Sequence, residues 1–293
     1  MLSGSSIFTL AISLFIEILK MTLTQLNELP RNLLYRENLI LSIITVVRND
    51  EVRLAETIQS LSGIYEDERF EHIIIDGLST DGTIDLLQGI SNKSNVKIIS
   101  GPDNGIYDAM NKGVGIASGR FELFLNCGDR LIADSEDIVN WCDDINPALI
   151  DIVCFPCALQ FGNKKTLLMP RGHTKYKMPT SHQAMIFTKD FVMRHPYNIE
   201  RRIAGDFELY LQSNKNRVYL FPGIEPISLV QGEGVASANP FLAYSEYLGI
   251  VMNKYDGVRC VTAFIMIFIK GAITIFFKSV FSKSWINFFR ALS

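Results

Sequence analysis

LILSIITVVRND, residues 39–50, opens on a continuous run of apolar and β-branched residues from Leu39 to Val47 and ends on a charged and amide tripeptide. Such a run suits a strand buried on both faces of a parallel sheet. Glu71–Ile75, with HIII at its heart, is a second run of the same kind. Between the two, Leu54, Ile58, Leu61 and Ile64 recur at helical spacing among polar Glu51, Arg53, Glu56 and Gln59, so the interval reads as an amphipathic crossover helix. The unit is β-α-β. The alternation continues with a helix after Asp81 (Ile84, Leu86, Leu87, Ile90), a strand over 96–100, a helix over 107–117 and a strand over 121–126. That order predicts an α/β fold with a mostly parallel, doubly wound, Rossmann-like sheet and flanking helices.

Ligands on sheets of this class sit beyond the carboxyl ends of the strands. The residues there are Val47-Arg48-Asn49, Asp76-Gly77, Gly101 to Asn104 and Asn126 to Asp129. Asp76, Asp103 and Asp129 are thereby expected in one cleft. A single aspartate at such a place is most often a helix cap or a turn former; three on successive strands argue for a shared ligand. A dinucleotide site would put GxGxxG directly after the first strand, where this chain reads VVRND. The glycines at 113, 115 and 119 fall in or after a helix and serve packing. No phosphate-cradling GK[ST] loop is present.

With 293 residues the chain is long enough for one large α/β domain and an appendage. A net charge of -3 and a pI near 5.9 supply no basic field, which excludes binding by broad neutralisation of nucleic-acid phosphates. The five cysteines are scattered, as in a reducing compartment. Cys154 and Cys157 have CxxC spacing without a second ligand pair, so the run 152–161 reads as one buried strand carrying two small residues.

The quoted segments resemble the inverting glycosyltransferase family 2 enzymes of GT-A fold, in particular bacterial transferases of polysaccharide, O-antigen and colanic-acid-type assembly. The resemblance rests on SIITVVRN (42–49), IIIDGLSTDGT (73–83), PDNGIYDAMNKG (102–113), ASGRFELFLNCGD (117–129), SHQAMIF (181–187) and IAGDFELYL (203–211). It implies that Val47, Arg48, Asp76, Asp103, Asn104 and Lys112 line a pocket for a nucleotide-diphosphate sugar, with UDP or GDP as the nucleotide. Asp129 corresponds to the last aspartate of a DxD-like motif and would hold Mg²⁺ or Mn²⁺ against the diphosphate. The first acidic position of that motif is Asn126 here, and Cys127 between them is a filler, a soft thiol being a poor ligand for Mg²⁺.

Asp206 matches the family's catalytic base, which deprotonates the acceptor hydroxyl as it attacks the anomeric carbon opposite the nucleotide. Its bland role is a cap of the helix over 207–212, and Glu208 is the rival base on the other side of that helix. His182 and Gln183 match a segment bordering the acceptor. Glu233, between glycines, is expected in a loop closing over the donor. Asn126 in place of an acid motivates the alternative of a catalytically silent sugar-nucleotide-binding or scaffold protein.

The domain plan is a lead-in over 1–38, a GT-A domain over 39–238 and an amphipathic helical tail over 239–293. In the lead-in, the apolar stretch 7–19 is short for a membrane span, carries Glu17 and has no preceding cation; Met21 is an alternative start. In the tail, residues 261–281 are apolar but carry Lys270, Thr274 and Lys278 as a polar stripe. A lysine mid-span costs about 2.5–3.5 kcal/mol on insertion, so a helix lying in the membrane surface is expected, with Lys283, Arg290, Trp285, Phe288 and Phe289 extending its character. The competing role is packing on the catalytic domain or in a homodimer. Together these features predict a peripheral enzyme at the cytoplasmic face of the inner membrane, building cell-surface polysaccharide such as lipopolysaccharide on a lipid-linked saccharide acceptor.

Overall fold

In the computed structural model, residues 38–172, 176–232 and 238–280 are described. Strand β1 (Leu41–Val47) is buried along its whole length, as is β2 (Phe70–Asp76), and the two run parallel in a register that pairs Leu41 with Phe70 and Val47 with Asp76. Helix α1 (Glu51–Ser60) connects them and inserts Leu54 into the sheet. Helix α2 (Thr83–Ile90) leads to β3 (Val96–Ser100), and α3 (Ile106–Ile116) leads to β4 (Phe121–Phe124). Parallel pairing sets Asp76 opposite Ser100, so Val47, Asp76 and Ser100 form a row across the carboxyl edge.

The strands β5 (Arg130–Leu131), β6 (Ile152–Cys154), β7 (Cys157–Phe161), β8 (Lys164–Leu168), β9 (Met185–Thr188), β10 (Val218–Leu220) and β11 (Ser228–Gln231) complete two sheets. The larger has seven strands in the order β10-β6-β9-β4-β1-β2-β3, and the smaller has the order β5-β11-β7-β8. In the larger sheet β9 runs antiparallel to both neighbours, so the sheet is mixed. The run 152–161 is not one strand. It breaks at Phe155–Pro156, placing Cys154 in the large sheet and Cys157 in the small one. Pro156 has no N–H to continue a ladder; its carbonyl accepts from Ile227 N, while Phe155 N donates to Ala184.

Helices α4 (Ser135–Asp143), α5 (Lys189–Arg194) and α6 (Gly205–Gln212) flank the sheets, followed by α7 (Pro240–Lys254) and α8 (Gly257–Val280). On one side of the large sheet, Phe124, Phe187, Tyr107, Tyr197 and Phe207 form an aromatic core that α7 and α8 extend with Val251 and Ile267. The described residues from Leu39 onward form one contact unit.

Among the described residues no helix is long and apolar enough to cross a membrane. The tail expectation is altered in one respect. Ile267, Lys270, Gly271 and Thr274 share one face of α8 at i, i+3, i+4, i+7 spacing, and that face is turned toward α7, with Lys270 still exposed at its edge. Ile267 is buried, Gly271 abuts the Tyr244 ring, Thr274 hydrogen-bonds Tyr244 Oη at 3.1 Å, and Lys270 lines a cavity. The outward face is apolar, with Val261, Phe264, Ile265, Phe268 and Ile269 exposed. The apolar stretch 7–19, Glu233 with its loop, and residues 281–293 lie outside the described residues.

Candidate active site

At the ends of β1 to β3 the chain turns sharply. Asn49 takes a left-handed conformation (φ 51°), its N–H donating to Ser79 Oγ at 2.8 Å and its Oδ1 accepting from Thr80 N at 2.7 Å. Asp76 is fully buried; its carboxylate accepts from Ser79 N at 3.1 and 3.2 Å and from Ser100 Oγ at 2.5 Å. It therefore shapes the edge of the cleft from within. Arg48 and Asp103 meet over Gly77: a Cβ there would lie 2.5 Å from Asp103 Oδ2 and 3.3 Å from Arg48 Cδ, so a larger residue would push these side chains aside. Asn104 is exposed, its N–H donating to Asp108 Oδ2 at 2.8 Å, and Lys112 lies beside it with Nζ 2.7 Å from Pro102 O and 2.9 Å from Asp108 Oδ2. Val47 is buried at the end of β1, next to Asp76.

Asp129 is 5% exposed. Its Oδ2 accepts from Gln183 Nε2 at 2.6 Å and its Oδ1 from Gln231 N at 2.9 Å, which ties β4's terminal turn to β11. Burial pushes its carboxyl up to about 6, opposed by the Gln231 N–H, His182, Gln183 and Arg53. Arg53, in the first turn of α1, drapes its aliphatic carbons over Gly128. Sequence reasoning left Arg53 as a polar residue of an amphipathic helix; its place in the first turn after a ligand-facing strand end was the available signal. Burial pushes the Cys127 thiol up to about 12, which keeps it protonated and a filler.

The contacts at this end converge on one dipeptide. His182 and Gln183 sit in a short 3-10 turn, His182–Ala184, just before β9. Gln183 holds Asp129, as described, and His182 Nδ1 lies 3.3 Å from Asp206 Oδ2. His182 Nε2 is 3.0 Å from Asn126 Nδ2. A neutral imidazole with its proton on Nδ1 is compatible with both contacts, accepting from the Asn126 amide and turning its N–H edge to Asp206. Asn126, His182 and Asp206 thus lie in a row of polar contacts, a hydrogen bond from Asn126 to His182 and a 3.3 Å approach of His182 to Asp206.

Asp206 lies in the first turn of α6, whose N-cap is Ala204, so it is not the cap. Its Oδ1 accepts from Phe207 N at 2.9 Å. Rival Glu208 is held by Arg201 in a two-point ion pair at 2.8 and 3.0 Å. Glu246 of α7 accepts the N–H groups of Arg202, Ile203 and Ala204 at 2.9, 3.0 and 2.8 Å, clasping the segment that delivers Asp206. Tyr107 Oη donates to Ile203 O at 2.6 Å and its ring lies against Gly205.

Asp206 and His182 open into a cavity of about 520 Å³ between Arg171, residues 176–182 and the helices α7 and α8. Its wall includes Tyr244, Tyr247, Met178 and Ile267, together with Arg171, Lys177 and Lys270. Glu246, Arg171 and Lys177 were not marked by the sequence patterns, and Lys270 was marked only as part of a polar stripe.

Two side chains beside the His182–Gln183 dipeptide, Asn126 and Asp129, carry oxygens of a kind that suits a hard cation. Asn126 Oδ1 is buried with no hydrogen-bond partner among the described residues, and each Asp129 oxygen accepts a single hydrogen bond and keeps lone-pair capacity. No group of three His, Cys, Asp or Glu side chains able to hold a metal occurs among the described residues. Asn126 Oδ1 and the Asp129 carboxylate would make at most part of a coordination shell, leaving the rest to phosphate oxygens and water.

A mixed α/β sheet with acids gathered at its carboxyl edge and a carboxylate–imidazole pair facing a separate cavity defines a two-substrate transferase architecture. Residues 42–201, more than half of the chain, match the family described as Glycosyl transferase family 2, and the chain belongs to that family. The family is one of glycosyl transferases. The PGL/p-HBAD biosynthesis glycosyltransferase of Mycobacterium bovis (strain BCG / Pasteur 1173P2) is 28% identical over 155 residues, covering 50% of this chain and 59% of the relative. An uncharacterized glycosyltransferase of Mycobacterium tuberculosis (strain ATCC 25618 / H37Rv) is 40% identical over 89 residues, covering 30% of this chain and 34% of the relative. The chain thus spans about three-fifths of the length of the first of these relatives.

Among solved structures, S. aureus TarS 1–349 in complex with UDP superposes with a TM-score of 0.58 at 17% identity, over 84% of this chain and 73% of that one. Mannosyltransferase PcManGT from Pyrobaculum calidifontis, in complex with GDP-Man and Mn²⁺, gives 0.57 at 15%, over 86% and 79%. At these identities the likeness establishes the GT-A fold.

Proposed function

We propose that the protein is an inverting transferase that moves a sugar from a nucleotide-diphosphate donor to a saccharide hydroxyl of a lipid-linked acceptor, in cell-surface glycan assembly. The observation that carries this reading is the Asn126–His182–Asp206 row, which presents a fixed carboxylate to a cavity on the far side of β4 from the Arg48–Gly77–Asp103 edge.

In this reading the donor's nucleotide lies over Val47, Arg48, Gly77 and Asp103, with Asn104 and Lys112 at its rim. The acceptor enters the cavity. His182 turns its Nδ1 edge to Asp206 Oδ2, and the Phe207 N–H holds Oδ1, so the carboxylate is fixed in position before the acceptor hydroxyl reaches it. Asp206 takes that hydroxyl's proton as the oxygen attacks the anomeric carbon, and a single displacement inverts its configuration. Asp129, with Asn126 Oδ1 beside it in sequence, would hold Mg²⁺ or Mn²⁺ together with the diphosphate, the ion neutralising charge on the leaving group. The exposed apolar face of α8 supports attachment to a membrane surface, for which we propose the cytoplasmic face of the inner membrane.

The test is transfer from UDP- and GDP-sugars to saccharide acceptors, with the product's anomeric proton coupling read by NMR. Inversion relative to the donor is expected. Retention, or donor binding without turnover on any acceptor, would refute the reading, the second outcome favouring a silent sugar-nucleotide-binding protein.

A further inference from the structure

The turn Asn126-Cys127-Gly128-Asp129 offers one carboxylate where a DxD-like motif offers two. A divalent ion held by a carboxylate and an amide is held less firmly than one between two carboxylates, which leaves more of a diphosphate's charge for other groups to meet. A cation stands over this turn. Gly128 takes a left-handed conformation (φ 95°), and a Cβ on it would lie 3.0 Å from Arg53 Cδ and 3.3 Å from Arg53 Cβ. Thr57, one helical turn further along α1, accepts from Gly128 N at 2.9 Å and donates to Asp129 O at 2.9 Å, so the helix that carries Arg53 is tied to the turn at two points.

The guanidinium is held and yet available. Asp50 pairs with its Nη2, while the side chain is 59% exposed and makes no other hydrogen bond or ion pair among the described residues. With five N–H donors in a rigid fork, it keeps Nε and Nη1 for a ligand. Its hydrogen bond to Asp50, opposed by burial and assisted at longer range by Asp129, raises it above the usual arginine range, so it is a permanent cation. The other cations near these strand ends lie elsewhere: Arg48 is over Gly77, Lys112 pairs with Asp108, and Arg130 pairs with Glu56.

We propose that Arg53 binds the donor's diphosphate beside the Asn126–Asp129 turn, its free N–H groups taking phosphate oxygens and supplying charge that the one-carboxylate motif gathers less of from a metal ion. A planar fork of donors suits phosphate oxygens, and Asp50 holds that fork in place before the donor arrives. Because this charge is fixed to the chain, part of the affinity for the diphosphate survives metal removal. The inference rests on the transferase reading above and adds to it a residue that reads the diphosphate.

Isothermal titration of the full chain with UDP and with GDP tests it, once with Mn²⁺ and once with EDTA, beside NMR titration with uridine and guanosine. For the nucleotide that binds more tightly, Arg53→Gln should weaken binding about tenfold with Mn²⁺. Arg53→Lys, which keeps the charge without the fork, should recover part of that loss. In EDTA the wild type should keep measurable affinity and Arg53→Gln should lose it. The nucleoside, which has no phosphate, should bind Arg53→Gln as it binds the wild type. Equal nucleotide affinity in wild type and Arg53→Gln would overturn the proposal. So would an equal loss for nucleotide and nucleoside, which marks Arg53 as a support of α1, or wild-type binding that vanishes in EDTA, which assigns the charge to the ion alone. A wild type that binds neither nucleotide sinks the proposal and the transferase reading together. The transferase reading fails by itself if nucleotide binding responds to Arg53→Gln as expected and no sugar leaves any nucleotide donor.

Discussion

His182 Nδ1 lies 3.3 Å from Asp206 Oδ2, although the two residues sit on different elements and 24 positions apart. The contact gives His182 a positioning role through Asp206. His182→Ala should lower kcat by about 10- to 100-fold, less than the 10²–10⁴ that general base catalysis supplies, while nucleotide affinity stays unchanged. His182→Gln, able to donate one hydrogen bond, should recover part of the loss. Steady-state kinetics with donor and acceptor varied separately checks both.

Glu246 satisfies three consecutive backbone N–H groups at the start of α6. Glu246→Ala leaves them without that carboxylate, so a stability loss of about 1.5–3 kcal/mol is expected, the range for hydrogen bonds to a charged group. Because the segment carries Asp206, kcat should fall with it. Chemical denaturation measures the first effect, and Glu246→Gln should show a smaller one.

Gly205 faces the Tyr107 ring so closely that a Cβ would lie 2.7 Å from two ring carbons. Tyr107 is 5% exposed and tied to Ile203 O, so the ring has little room to retreat. Gly205→Ala should destabilise by about 1–3 kcal/mol, as overpacking does, and the Tyr107→Phe variant alone should not relieve the clash. Thermal unfolding of the single and double variants separates these effects.

Two buried groups shape stability against pH in opposite directions. Burial pushes Glu122 up to about 8, with Lys189 opposing and Glu71 assisting, so the folded chain binds a proton that the unfolded chain releases near 4.5. Stability is therefore lost as pH rises from about 4.5 to 8. Burial pushes His72 down to about 3, between Tyr65 Oη and Thr45 Oγ1 at 2.9 Å each, so stability is lost as pH falls from 6.5 toward 3. Glu122→Gln should raise the midpoint of thermal unfolding at pH 8 and leave it little changed near pH 4.5. A pH series of unfolding curves gives the answer.

The central half of the large sheet was legible because β1 and β2 are buried on both faces, and their unbroken apolar runs have few other readings. The strand-end rule then placed Arg48, Gly77 and Asp103 at one edge without any contact being known. The break at Pro156 and the reversal of β9 were not legible, since short strands choose partners by tertiary packing, and Met185–Thr188 reads alike in either direction. Asp76 was marked as a ligand contact from its place at a strand end; that its oxygens also accept from Ser79 and Ser100 was not legible, since sequence does not show what lone pairs meet. The Lys270 and Thr274 stripe was legible as a stripe. Its partner was not, because helical periodicity identifies a distinct face without saying whether protein, water or lipid covers it.

The most direct test of the account is the turnover of Asp206→Asn with saturating donor and acceptor. The variant keeps the side chain's shape and removes its basicity, so kcat should fall by about 10²–10⁴ while UDP or GDP affinity is retained. Turnover within about twofold of wild type would contradict the assignment of Asp206 as the base, and with it the mechanism drawn from the Asn126–His182–Asp206 row.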